Sequence, residues 1–101
     1  TNMQFILIAY DSTDPGAPER RLNSRPQHLA RIATARQEGK FLFGGAMLND
    51  NEQMIGSVVL YEVSDRAELD DLLKDEPYII NKVWENIDIK PFRLAKTDVP
   101  Q

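Results

Sequence analysis

The chain has 101 residues, enough for a single domain that buries roughly 60 to 70% of the surface its unfolded form exposes and needs no covalent staples. It has no cysteine, which excludes disulfide scaffolds, thiolate zinc sites, iron–sulfur clusters and cysteine nucleophiles, and its one histidine is too little to hold a transition metal. Formal net charge is −4, which opposes phosphate binding, so nucleic acid is not expected as a partner.

Thr1 and Asn2, ahead of Met3, read as an expression remnant, residues 3–95 as the domain and 96–101 as a C-terminal tail. Gln4 to Tyr10 is a short run of strand formers, far too short to span a bilayer and without the flanks of a signal peptide. A soluble, cytoplasmic protein with no membrane partner is therefore expected. Asp11 to Pro18 has the polar and proline content of a loop. Ser24-x-x-Gln27 fits a capping box, so the first helix is predicted to open there, to carry Leu29, Ile32, Ala33 and Arg36 at helical spacing, and to leave at Gly39. Phe41–Leu48 and Met54–Val63 read as two strands joined by the polar turn 49–53, pairing antiparallel. Ser64 or Asp65 caps a second helix with the stripe Leu69, Leu72 and Leu73, which ends where Pro77 pushes the preceding residue out of helical geometry. Pro77 can open a short helical turn of its own. A last strand follows, with Ile87 and Ile89 alternating against Asp88 and Lys90.

Strand, helix, strand, strand, helix, strand is the α+β order of a ferredoxin-like βαββαβ unit with a four-stranded antiparallel sheet. Two helices cover one face of such a sheet, yet the first and third strands are apolar on both: Phe5, Leu7 and Ala9 alternate with Ile6, Ile8 and Tyr10, while Ile55, Val59 and Tyr61 alternate with Met54, Val58 and Leu60. The simplest cover for the second face is the same sheet of a second subunit, so a homodimer is expected.

His28 falls in the first turn of the predicted helix, about 40 degrees around from Ile32 and so toward the buried side. The positive end of a helix disfavours imidazolium, which would leave a neutral ring able to accept a proton. The plainer alternative is a histidine that fills space and hydrogen-bonds a loop. Asp75 and Glu76 close the second helix, and either carboxylate is a candidate partner for the imidazole, although a solvated acid pair is the ordinary reading. Gly44-Gly45 and Gly56-Ser57 put glycine inside strands, which marks either a bulge or the close approach of a ligand or backbone. No phosphate-loop spacing surrounds them. Trp84, Tyr78, Phe41 and Phe92 suit a core or dimer contact better than a cofactor box.

Arg20-Arg21-Leu22-x-x-Arg25-Pro26-x-His28-Leu29-Ala30-Arg31, Glu38-Gly39-Lys40-x-Leu42-x-Gly44-Gly45, Gly56-Ser57, Glu76-Pro77-Tyr78 and Val83-Trp84-Glu85-x-Ile87-x-Ile89-Lys90-Pro91-Phe92, in this order, resemble the YciI-like (YCII-related) family. The resemblance runs from Met3 to Arg93. It implies pairing of the ferredoxin-like protomer, sheet to sheet, as a dimeric α/β barrel, with a pocket centred on a histidine and an acid. Relatives include a dehydrochlorinase of a chlorinated hydroxyhydroquinone, and the wider superfamily includes muconolactone isomerase. By position, His28 matches the family histidine and Glu76 the acid before Pro-Tyr, commonly an aspartate. The departures are Glu76 itself, with Asp75 adjacent; Ala46, where relatives often carry proline; and Asn81-Lys82 in place of small residues. The resemblance thus implies an enzyme without cofactor or metal, acting by elimination or isomerisation on a small cyclic or aromatic substrate. His28 would move the proton, Glu76 or Asp75 would orient it, and Gly44-Gly45 amides with the Ser57 hydroxyl would hold an oxyanion. Arg25 would either take a carboxylate or phenolate or serve as a solvent-facing structural arginine, and Tyr78 joins the ligand-binding candidates. The competing reading is a ligand-binding or assembly module without turnover, favoured by the extra methylene of Glu76.

Overall fold

The computed structural model describes residues 2–95, so Thr1 and the expected tail 96–101 lie outside the described residues. The element order is β1 (Met3–Asp11), α1 (Ala17–Gln37), β2 (Phe41–Leu48), β3 (Met54–Val63), α2 (Arg66–Leu73), α3 (Pro77–Ile80) and β4 (Trp84–Phe92). The four strands form one antiparallel sheet in the order β2-β3-β1-β4, the ferredoxin-like arrangement expected from the sequence. Among the described residues no helix is long and apolar enough to cross a membrane, and no group of three or more His, Asp or Glu could hold a metal ion.

The core lies between the sheet and the helices. Phe5, Leu7 and Ala9 of β1 and Val59, Tyr61 and Val63 of β3 point to that side by strand alternation, where they meet Phe41, Leu69, Leu73, Tyr78 and Trp84. Leu7 and Leu69 are fully buried, each contributing roughly 1.5–3 kcal/mol relative to an exposed leucine. On the other face the register aligns Ile6 and Ile8 with Leu60 and Val58, and Phe43 with Leu60. Around this apolar centre stand polar pairs, Gln4 with Glu62 and Lys90 with Asp88. Among the described residues no helix covers this face, and Tyr10, Phe43 and Phe92 remain exposed.

The first helix corrects the sequence reading. It begins at Ala17, not near Ser24, and the proline that opens it is Pro18, in its first turn. Asp14 organises the entry: its carboxylate accepts from the Gly16 N–H at 3.1 Å and from both terminal nitrogens of Arg20 at 2.7 and 2.8 Å. That guanidinium holds the Asp14 carboxyl down at about 2. Pro26 lies inside the helix, a position that normally costs about 3 kcal/mol because the hydrogen bond to the carbonyl four residues back is lost. Here that carbonyl belongs to Leu22, and both Leu22 and Pro26 are exposed, so water can satisfy it. Ser24 is no cap but a buried helix-interior residue whose hydroxyl accepts from Asn81 Nδ2 at 2.9 Å, docking α3 on α1.

Of the remaining boundaries, α2 ends at Leu73, so Asp75 and Glu76 follow the helix rather than close it, while the exit of α1 and the start of α2 are as expected. Gly39 leaves α1 at φ 77°. Asp65 caps α2, its carboxylate accepting from the Glu68 N–H at 2.9 Å.

Candidate functional site

One stripe of α1 carries the polar residues that face the sheet. Arg21, Ser24 and His28 recur at helical spacing and are all buried. His28 therefore sits in the middle of a 21-residue helix, and the positive helix end expected beside it does not bear on its ring, because that effect fades within the first turn. Its inward orientation stands, with 6% of its surface exposed.

Glu76 is the acid that meets it. As the residue before Pro77, Glu76 is held extended at φ −72°, ψ 117°. That turns its side chain back beneath α1 while Asp75, one residue earlier, stays exposed at the end of the helical run. Glu76 Oε1 lies 2.5 Å from His28 Nδ1 and also accepts the Tyr78 N–H at 3.2 Å. The longer side chain thus reaches the imidazole, and the structure does not bring Asp75 into this group. An ionised carboxylate only accepts, so Nδ1 carries the proton and Nε2 is left as the acceptor nitrogen, with no protein partner among the described residues.

Aromatic packing fixes the ring. Tyr78 stacks on His28 with centroids 3.9 Å apart and planes 14° from parallel, and Trp84 meets both rings edge-on at 6.1 and 5.5 Å. Arg21 and His28 are seven residues apart, about 10.5 Å along the axis. The Tyr78 ring fills that interval, with the Arg21 guanidinium 4.9 Å from its centre. Burial raises the Tyr78 phenol above its ordinary value against the opposing charges of Arg21 and Arg25. Burial, reinforced by the charge of Glu76, pushes the Tyr61 phenol well above the usual range.

Arg21 and Asp11 join the site residues expected from the sequence. Arg21 Nη1 bonds both carboxylate oxygens of Asp11 at 2.8 and 2.9 Å, and Nη2 donates to the Gly56 carbonyl at 3.2 Å and to Ser57 Oγ at 3.1 Å. Burial raises the Asp11 carboxyl despite the guanidinium beside it. Trp84 Nε1 also donates to Ser57 Oγ at 3.2 Å. With two donors aimed at its oxygen, the Ser57 hydroxyl keeps its own proton to give. The signal for Arg21 was its position seven residues before His28, two helical turns, which becomes meaningful only once the helix starts at Ala17.

These side chains wall a cavity of about 360 Å³ bounded by Arg21, Arg25, His28, Leu29, Ile32, Arg36, Phe41, Phe43, Gly44, Gly45, Ala46, Met54, Ser57, Val59 and Tyr78. Arg25, Gly44, Gly45, Ser57 and Tyr78 are thus brought together with His28. Glu76 touches the cavity only through His28. Gly44 and Gly45 lie in the ladder with β3, where backbone N–H groups run in the plane of the sheet. These amides do not point into the cavity; Gly44, paired with Val59, lies on the helix side, where an added Cβ would fall 3.0 Å from Phe41 Cε2, whereas Gly45, paired with Val58, would turn a side chain to the uncovered face, with nothing within 4 Å.

The sequence profile of the YCII-related domain matches residues 3–93. Protein YciI of Escherichia coli O6:H1 is 31% identical over 97 residues, spanning 90% of this chain and 97% of that protein. Among solved structures, 5-chloro-2-hydroxyhydroquinone dehydrochlorinase from Burkholderia phenoliruptrix, in complex with 2,5-dihydroxybenzoquinone, superposes with a TM-score of 0.78 at 20% identity, covering 92% of this chain and 96% of that one. A cofactor-independent oxygenase from Streptomyces nogalater shares the fold at a TM-score of 0.52 and 13% identity, with 95% of each chain covered.

Proposed function

Because this chain belongs to the YCII-related domain family, we propose that it is a cofactor-independent enzyme that moves a proton on a small cyclic or aromatic substrate, by elimination or isomerisation. The observation that carries this reading is the pairing of His28 Nδ1 with buried Glu76, which leaves Nε2 without a protein partner among the described residues, on the wall of a cavity of about 360 Å³. In this mechanism Nε2 takes a proton from substrate carbon or oxygen. Glu76 holds the imidazole in the competent tautomer and balances the imidazolium that forms. The Ser57 hydroxyl donates to the oxyanion that develops, its oxygen already anchored by Arg21 and Trp84. Tyr78 fixes the plane of the ring and forms part of the ligand wall.

The test is binding of 2,5-dihydroxybenzoquinone, followed by a screen of chlorinated hydroquinones for chloride release and of lactones for isomerisation. Saturable binding at the His28 cavity with turnover of at least one class is expected. Failure to bind or turn over any member would sink the enzyme reading. Saturable binding without turnover would instead favour the ligand-binding module.

The proposed assembly is a homodimer that buries the uncovered sheet face, whose half-buried apolar centre of Ile6, Ile8 and Val58 within a polar rim has the layout of an interface. Sedimentation at micromolar concentration is expected to return twice the chain mass, and Ile8→Lys, charged at the centre of the patch, is expected to return a folded monomer. A wild-type monomer throughout the range would overturn this assembly.

A further inference from the structure

We propose that the His28 cavity selects an anionic ligand, a small ring bearing a carboxylate-type group, and that Arg25 and Arg36 are its charge-reading residues. The inference rests on the reading of this cavity as a ligand site and adds the chemistry of what enters it. Acidic residues outnumber Lys and Arg in the chain by 16 to 12, yet three arginines and no carboxylate line the cavity. The two nearby acids are already engaged. Asp11 is held by both of its oxygens on Arg21, and Glu76 is turned behind His28, accepting from the ring and the Tyr78 N–H.

Arg25 and Arg36 differ from the other cavity cation. Neither has an ion-pair partner among the described residues, whereas Arg20, Arg21, Lys40, Arg66, Lys74 and Lys90 all do. The two stand eleven residues apart on the helix, on either side of His28 and Ile32, so their long side chains bracket the cavity from both ends. Arg36 is directed inward, its guanidinium 6.0 Å from the centre of the Phe41 ring. A concave site with low-dielectric walls and uncompensated charge of one sign concentrates the opposite sign, here within a protein whose overall field is negative. The walls between the arginines are apolar, from Ile32, Phe41 and Val59, which suits the ring that carries the anion.

The experiment compares benzoate with benzamide, which match in shape and differ in charge, by titration followed in amide NMR spectra of the full chain. Benzoate is expected to bind about tenfold more tightly at low salt, to shift residues lining the cavity, and to lose its advantage as ionic strength rises. Arg25→Gln with Arg36→Gln is expected to bring the two compounds within about twofold of each other. Arg66→Gln, which removes an exposed cation elsewhere, is expected to leave the preference intact. Equal affinities in the wild type, a preference that survives the double substitution, or benzoate shifts that map outside the cavity would each overturn anion selection while leaving the acid–base role of His28 standing. If neither compound binds up to its solubility, anion selection by this cavity is overturned, and the acid–base reading is decided separately by the quinone and lactone series.

Discussion

His28→Ala is expected to lower turnover of an accepted substrate by at least about a hundredfold, the lower end of what a positioned acid–base group supplies. The variant also strands the Glu76 carboxylate, 4% exposed, with the Tyr78 N–H as its remaining partner. A destabilisation of about 2–4 kcal/mol is therefore expected alongside, short of unfolding a protein of ordinary stability. Because stability and activity both move, a second substitution separates them. Glu76→Gln keeps the volume and can still accept from Nδ1–H but cannot balance an imidazolium, so kcat is expected to fall by about ten- to a thousandfold with KM little changed. Asp75→Asn, at an exposed carboxylate, is expected to change neither. Loss of activity in Asp75→Asn with Glu76→Gln unaffected would move the acid by one residue. A His28→Ala protein that unfolds, while folded Glu76→Gln retains full kcat, would make the pair a packing feature.

Gly56→Ala is expected to be the most destabilising single-methyl change in the sheet, at about 3 kcal/mol or more in urea unfolding. Gly56 is flanked by Tyr10 of β1 and Met47 of β2, and an added Cβ would fall 2.3 Å from the Ala9 carbonyl oxygen and 2.5 Å from Met47 Cε. The methionine can swing away. The Ala9 oxygen is backbone in a central strand and moves only if β1 parts from β3. The Gly56 carbonyl also accepts from Arg21, so any displacement there disturbs the guanidinium that anchors Ser57, and weakened ligand binding is expected with the lost stability. Gly45→Ala is the matched control, since its Cβ would enter open space, and an effect within about 1 kcal/mol is expected. Equal stability of the two variants would show that the close approach at Gly56 relaxes at little cost.

Much of the fold was legible because each element carries its own local signal. The alternation in β1 and β3, the polar turn 49–53, the Asp65 cap, the stop before Pro77 and the left-handed exit at Gly39 involve residues within a few positions of one another, the range over which sequence pattern and backbone preference act. The start of α1 misleads because two prolines compete: Pro26, with Ser24 just ahead of it, imitates a helix opening more closely than Pro18 does. The buried stripe of Ala17, Arg21, Ser24 and His28 holds the helix together across the proline, whose lost hydrogen bond falls on the exposed side. That one boundary hid Arg21 and placed His28 in a first turn it does not occupy.

The histidine and the family acid were visible as residues, but nothing local distinguishes Glu76 from Asp75. That choice belongs to the tertiary structure: the extended backbone before Pro77 rotates one carboxylate under α1 and leaves its neighbour in water. The Arg21–Asp11 pair, the Tyr78 ring between Arg21 and His28, and the meeting of Ser57 with Trp84 likewise join residues 10 to 57 positions apart in the chain. Periodicity records which side of an element is buried, whereas the partner on that buried side is set by the docking of β1, β3, β4 and α3 around one helix, and only the folded chain contains that information.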